Sequence, residues 1–314
     1  MAVPYTDLDT AVRKKYLPKL IEQIFVGNPL LTKILAKRQV KFNSGLKIAQ
    51  PVVYGRLSGG SFKGLDPFDI SYKETQTYAE WDWKSTYVNV TIPGDDMAKT
   101  EGDEKIVGIV QSKMETATMS LHEDISTMMF SDGTGNASKD FDGLKNAVDN
   151  GTLYATYGGI ATRSTTNSWW AAQMDTTGGA VTVDAINSMI GLCTVANKKP
   201  DLIITTQTLY DKVWARVQPQ QRFLDGKSPL ANVGFSGINF NGHADLIVDL
   251  HCPTGYMYFL NTEYWHFVIN SNRNFYWTPE KTPTDQDAYV RQLILMANFI
   301  CVQPRVQGVL TGLT

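Results

Sequence analysis

The chain has 314 residues, 43% of them hydrophobic, enough for one substantial core or two modest ones. With 29 basic residues against 31 acidic ones it lacks the basic bias of a dedicated nucleic-acid reader. Its three cysteines (Cys193, Cys252 and Cys301) are odd in number and far apart, which argues against a zinc knuckle or a disulfide framework and for buried reduced thiols.

The first 25 residues are charged and have no continuous apolar core, so no secretory signal is expected there, and no apolar run is long enough to span a bilayer. A cytoplasmic origin is the expectation. Leu8, Val12, Tyr16, Leu20 and Ile24 recur at four-residue spacing and predict an amphipathic helix over 6–25, kinked or delayed at Pro18. Asn28 and Pro29 then offer a cap and a first-turn proline for a short helix through Ala36.

Strand-like runs follow around Asn43-Ser44-Gly45, and a glycine-rich tip stands near Gly59-Gly60. On the return, Trp81, Trp83 and Tyr87 alternate onto one face and Val88, Val90 and Ile92 onto the other. The change of apolar face near Thr86 predicts a strand that leaves one packing environment for another. A long two-stranded excursion is marginal in water by itself, so it is expected to lie on a partner. After Pro93-Gly94-Asp95, the residues Ile106, Val110, Ala117, Leu121, Ile125 and Met128 mark one face of a long helix, with Gly133 as its stop.

The stretch 141–170, FDGLKNAVDNGTLYATYGGIATRSTTNSWW, has turn residues, a single arginine (Arg163) and a closing Trp169-Trp170, but no histidine or cysteine. It reads as a compact crossover. Beyond it the pattern alternates helix, strand and helix to about 217, with Thr206 capping the second helix and Leu209, Val213, Trp214 and Val217 on its inner face. Short strands are expected at 238–240, 246–248, 257–260 and 266–269, and the chain ends in a β-rich run interrupted at Pro304. No repeat or polar linker separates these parts.

Catalytic and metal motifs are weak. Gly59 to Gly64 lacks the spacing of a phosphate loop and no long helix follows, which favours a flexible hairpin tip. Asp132, Asn136, Asp140 and Asp142 lack calcium-loop order and a closing glutamate, so they read as turn formers. His122, His243, His251 and His266 form no ligand pair, and His122 beside Glu123 reads as a surface or interface residue. No nucleophile elbow is present. Trp169 and Trp170 suit packing better than stacking on a sugar or base, because nothing polar is arranged around them. No enzyme activity, cofactor or metal is expected.

Taken in order, an amphipathic arm, a long hairpin, a long helix and an α/β body resemble a tailed-bacteriophage major capsid protein of the Hong Kong 97-type fold. The phrases FDGLKNAV, YGGIATRSTTNSWW and GFSGINFNGHADLIVDLHCPTGYMYFLNTEYW add to that resemblance, which extends over essentially the whole chain. It implies an α+β subunit with an N-terminal arm (1–50), an extended loop (51–92), a peripheral domain (93–177 and 286–314) and an axial domain (178–285). Gly158, Gly159, Trp169 and Trp170 would then form a structural bridge between the two domains.

The same resemblance implies a non-catalytic shell subunit in the virion capsid, assembled in the host cytoplasm. Its partners would be copies of itself in hexamers and pentamers, with scaffolding, portal and decoration proteins as further candidates. Packaged double-stranded DNA would be contacted without sequence readout, and no membrane would be involved. At the loop tip, Arg56 and Lys63 are expected to meet acidic groups of a neighbour, with Glu101, Asp103 and Glu104 at the start of its long helix as candidates. Two rival classes predict otherwise. Another virion or tail structural protein would oligomerise without closing a shell, and a carbohydrate-binding or hydrolytic β-rich protein would be a monomer with two convergent carboxylates.

Overall fold

The computed structural model describes residues 29–37, 39–42, 45–95, 103–217, 238–240 and 242–314. The helix expected over 6–25 lies outside them. Pro29 opens α1 (Pro29–Lys37), whose Leu30, Leu31 and Ile34 are buried. Proline suits this first turn because its missing N–H would have had no intrahelical partner there.

A five-stranded sheet forms the base of the larger core. Its strands are β1 (Gln39–Phe42), β4 (Lys84–Pro93), β10 (Trp265–Asn270), β11 (Tyr276–Trp277) and β12 (Ala288–Cys301). β4 runs antiparallel to β12 from Lys84↔Ala297 to Pro93↔Ala288, and β1 runs parallel to β10. Along β4 the side chains alternate, with Val90 and Ile92 buried and Tyr87, Asn89 and Thr91 exposed. The buried face receives α2 (Asp103–Met129). Val110, Met114, Ala117, Leu121, Ile125 and Met128 of α2 are all buried, at the spacing of one helical face. The helix ends before Gly133, which takes φ +80°, a conformation open to glycine because it has no Cβ.

A six-stranded sheet separates this core from a smaller one. Its order is β5 (Gln173–Asp175), β13 (Gly308–Leu310), β9 (Met257–Leu260), β6 (Leu202–Thr205), β8 (Ala244–Val248) and β7 (Ile238–Phe240). Strands β6 and β9 are buried on both faces. Leu202, Ile204, Tyr258 and Leu260 point into the larger core, while Ile203, Met257 and Phe259 meet α3 (Val183–Cys193) and α4 (Gln207–Val217) in the smaller one. Thr182 caps α3 by accepting the Ala185 N–H at 3.1 Å, and Leu209 and Val213 form the buried face of α4. Cys193, Cys252 and Cys301 are free and buried, and burial pushes each thiol up to about 12.

The hairpin pairs β2 (Ile48–Val53) with β3 (Gln76–Trp81), from Ile48↔Trp81 to Val53↔Gln76. The strand-like runs expected around Asn43-Ser44-Gly45 are β1 and β2, which join different sheets. One sequence expectation is corrected here. Trp81, Trp83 and Tyr87 do not share a face, because the strand breaks at Asp82-Trp83 as the chain passes from the two-stranded to the five-stranded sheet. Trp81 is buried, Trp83 donates Nε1–H to the Gly45 carbonyl at 2.9 Å, and Tyr87 is exposed on β4.

Candidate functional site

From its root outward, the hairpin loses its own core. Ile48, Ala79 and Trp81 are buried at the root, whereas Val53 and Tyr78 are exposed farther out. Beyond the paired strands, Tyr54 and Gly55 donate to the Thr75 carbonyl at 2.9 and 3.3 Å, and residues 56–74 then run as an excursion without strands. Its tip is shaped locally: Asp66 accepts the Lys63 N–H at 2.8 Å, Gly64 takes φ +64°, and Phe62 meets Phe68 edge-on at 4.9 Å. Hydrogen bonding from Ser71, whose N–H donates to Asp69 at 3.0 Å, holds the Asp69 carboxyl down at about 2. Along the excursion Leu57, Phe62, Leu65, Phe68, Ile70 and Tyr72 stay in solvent, with Leu65 and Ile70 more than 90% exposed. So large an apolar group without a core of its own marks an interaction surface.

Arg56 and Lys63 are also exposed, and among the described residues neither side chain enters an ion pair. Asp103 and Glu104 lie at the start of α2, and Glu101 lies outside the described residues. The apolar series was legible in the sequence as large side chains on both sides of the tip glycines, but reading the glycines as flexibility hid it.

The crossover 141–170 seats the hairpin root. Its centre is Arg163, which is fully buried. Its Nη2 donates to the carbonyls of Ala147 and Asp149 at 2.9 and 2.6 Å, its Nη1 to that of Asn146 at 2.9 Å, and its Nε to that of Trp170 at 3.3 Å. The guanidinium also lies 5.4 Å from the centre of the Tyr157 ring. Burial lowers its pKa, opposed by the neighbouring Asp149 charge. The Asp149 carboxylate accepts the N–H groups of Gly151 and Tyr154 at 2.7 and 3.0 Å. One cation thus collects backbone carbonyls from both ends of an irregular loop, which a buried loop needs because it has no ladder to satisfy them.

Tyr157 and the tryptophans carry this unit to its neighbours. The Trp170 Nε1–H donates to the Tyr157 carbonyl at 3.0 Å, and the Tyr157 hydroxyl accepts the Cys301 N–H at 2.7 Å. Gly158 takes φ +58°, and a Cβ there would lie 2.8 Å from the Trp81 ring, while its carbonyl accepts the Glu80 N–H at 2.9 Å. Gly159 takes φ +72° and completes the turn. Trp169 is half-buried and stacks on Tyr54 at 5.2 Å. The structure therefore brings Gly158, Gly159, Trp169 and Trp170 together around the end of β3 and the end of β2. Sequence reasoning missed Arg163, Tyr157 and Asp149 as the residues that organise the segment. Only the isolation of one arginine among turn residues hinted at it.

The other candidate groups are engaged in structure. Asp132 accepts the Thr134 N–H at 3.0 Å, its hydroxyl at 2.6 Å and the Tyr154 hydroxyl at 2.9 Å, the contacts of a turn former. Asp142 accepts from Asn298 Nδ2 at 2.9 Å, and burial raises its pKa. His122 is half-buried on α2, His243 is exposed and His266 is buried. An open cavity of about 670 Å³ holds Asp201 and Glu263, but Asp201 accepts from Thr262 at 2.8 and 2.6 Å and Glu263 pairs with Lys198 at 2.8 Å. Those carboxylates do not converge on empty space as a glycosidase pair would.

No family model matches the sequence, and a search of curated proteins finds no match. Solved structures do match. The cyanophage A-1(L) capsid asymmetric unit aligns with a TM-score of 0.68 at 15% identity, covering 90% of this chain and 92% of that one. The capsid of a native GTA particle aligns with a TM-score of 0.62 at 9% identity, covering 90% and 91%. The holo-SrpI encapsulin complex from Synechococcus elongatus aligns with a TM-score of 0.54 at 12% identity, covering 89% and 86%. A hairpin thrown out from a sheet-and-long-helix body, with a second helix-covered sheet beside it, is the Hong Kong 97-type capsid fold, and this chain has that fold.

Proposed function

We propose that this chain is a major capsid protein that assembles into the closed, non-enzymatic head shell of a bacteriophage. The observation that carries the reading is the apolar excursion from Leu57 to Tyr72, which has no core of its own, on a capsid-type fold. Its partner is a second copy of the chain, in hexamers and pentamers. The exposed apolar side chains supply most of that contact. Ion pairs from Arg56 and Lys63 to Glu101, Asp103 and Glu104 of the neighbour add only about 0–1 kcal/mol each. Many modest contacts repeated around a closed shell make a strong assembly.

Under this reading the arm is 1–50, the extended loop 51–92, the peripheral domain 93–177 with 286–314, and the axial domain 178–285. Scaffolding, portal and decoration proteins and packaged double-stranded DNA are the further partners, and the particle is built in the host cytoplasm. Sedimentation and electron microscopy of the purified protein test the assignment. Capsomers or closed shells are expected. A single low-mass species that persists at high concentration with scaffold supplied would overturn it.

A further inference from the structure

The returning half of the excursion carries a strand pattern without a strand. From Phe68 to Lys73 the residues alternate, with Phe68, Ile70 and Tyr72 at one parity and Asp69, Ser71 and Lys73 at the other. Strict alternation of aromatic or β-branched residues with polar ones is the pattern of a half-buried strand. In the subunit, however, residues 68–73 join no sheet, and the three apolar side chains are exposed. Ser71 N–H donates to the Asp69 carboxylate at 3.0 Å, a local bond that stands in for a ladder partner.

The five-stranded sheet has a free edge to match. β12 holds β10 and β11 on one side and β4 on the other, so β4 is an edge strand of ten residues. Such an edge is ordinarily blunted by a charge, a proline or a bulge. β4 has neither charge nor proline from Ser85 to Ile92. Its two faces differ. Away from α2, Tyr87 lies opposite Ile294 and Ile294 opposite Tyr276, an apolar row across three strands in which both tyrosines are exposed. Toward α2, a cavity of about 420 Å³ borders Thr86 and Tyr87 together with Asp124, Lys139 and Asp140. Among the described residues, none of those three charged groups enters an ion pair.

We propose that residues 68–73 of a second copy add to the free edge of β4 as a sixth strand. The inference rests on the capsid reading, which supplies the second copy. A chain's own β4 is out of reach, because the six residues of β3 stand between it and the segment, about 20 Å of strand. Phe68, Ile70 and Tyr72 then extend the row of Tyr87, Ile294 and Tyr276. Asp69 and Lys73 face the cavity, which offers both signs of charge. A slip of one residue would put those charges on the apolar row, so the alternation fixes the register. Main-chain hydrogen bonds supply the contact and the side chains its specificity. Donor and acceptor are different parts of the chain, so the contact passes from copy to copy and closes a ring.

Amide hydrogen exchange, measured on the unassembled subunit and on shells, tests it. In shells the amides of 68–73 should exchange at least about tenfold more slowly. Alternate amides of 85–92, those turned away from β12, should gain protection with them. Ile70→Pro and Ser71→Pro should leave the subunit's circular dichroism unchanged and prevent shells, whereas Ser71→Ala, which keeps the N–H, should assemble. Shells in which 68–73 stay unprotected overturn the strand addition and leave the capsid reading intact. So does protection of 68–73 with none gained on β4, or normal assembly of both proline variants. A wild-type chain that forms neither capsomers nor shells defeats the capsid reading itself, and this inference with it.

Discussion

The crossover 141–170 and the excursion 54–75 are both rich in turn residues, yet their glycines do opposite work. In the crossover, a Cβ on Gly151 would lie 2.4 Å from the Ser164 nitrogen, and one on Gly143 would lie 2.5 Å from the Ser131 carbonyl oxygen. In the excursion, a Cβ on Gly59, Gly60 or Gly64 would meet nothing within 4 Å. The first region is closed within one subunit around Arg163 and Trp170. The second presents Leu65 and Ile70 to solvent and has no core of its own. Glycine content therefore says nothing about whether a loop is finished. What separates the two is whether their apolar and polar groups find partners in the same chain.

The contrast breaks most readily at Trp170. Trp170→Ala removes a 2%-exposed indole and should cost about 3–5 kcal/mol, read by chemical denaturation or as insoluble protein. Trp169→Ala is predicted to cost less, about 1–2 kcal/mol, because that ring is half-buried and its main aromatic partner is the exposed Tyr54. Equal losses would mean that both tryptophans belong to one closed core and that the crossover does not end at the hairpin root.

A smaller effect of opposite sign is expected at Asp142. Burial raises its carboxyl, against the hydrogen bond from Asn298 and the Lys84 charge, so keeping it ionised in the folded state at neutral pH is unfavourable. Asp142→Asn should raise the unfolding midpoint at neutral pH. That advantage should fade as pH falls through the raised folded-state value, where the wild-type carboxyl takes up its proton and the penalty vanishes. A variant less stable than wild type at neutral pH would show that the Asn298 contact outweighs burial.

The smallest effect on the subunit itself belongs to the tip. Replacing residues 58–64 with a short turn should leave the circular dichroism spectrum and the unfolding midpoint within about 0.5 kcal/mol of wild type, while closed shells disappear from electron micrographs. Unfolding would place the tip in the subunit's own core. Normal shells would mean that it touches no neighbour.

Much of the fold was legible because it is local. The α2 stripe, the burial of Leu209 and Val213, and the strands at 238–240 and 257–260 all follow from side-chain periodicity. The change of environment was expected near Thr86 but falls at Asp82-Trp83, because β4 runs unbroken through Thr86 and only its pairing partner, far away in the chain, fixes where it starts. The candidate site was legible only in part. Arg163 could not be identified because its acceptors are backbone carbonyls at 146, 147, 149 and 170, and every residue type offers a carbonyl. His251 could not be placed beside Glu123, 128 residues away in sequence, without the packing of α2 on the sheet.

By itself, then, the sequence determined the element types, their order, the reduced cysteines and the presence of a long hairpin, because each depends on spacing within a few turns or strand residues. Tertiary structure alone decided which sheet each strand joined. It paired β4 with β12 and divided the alternating side chains of β6 and β9 between two cores. It also decided that one glycine-rich segment closes on itself and the other does not. Those outcomes depend on partners far away in the chain, whose positions are set by the packing of the whole subunit and not by any local pattern.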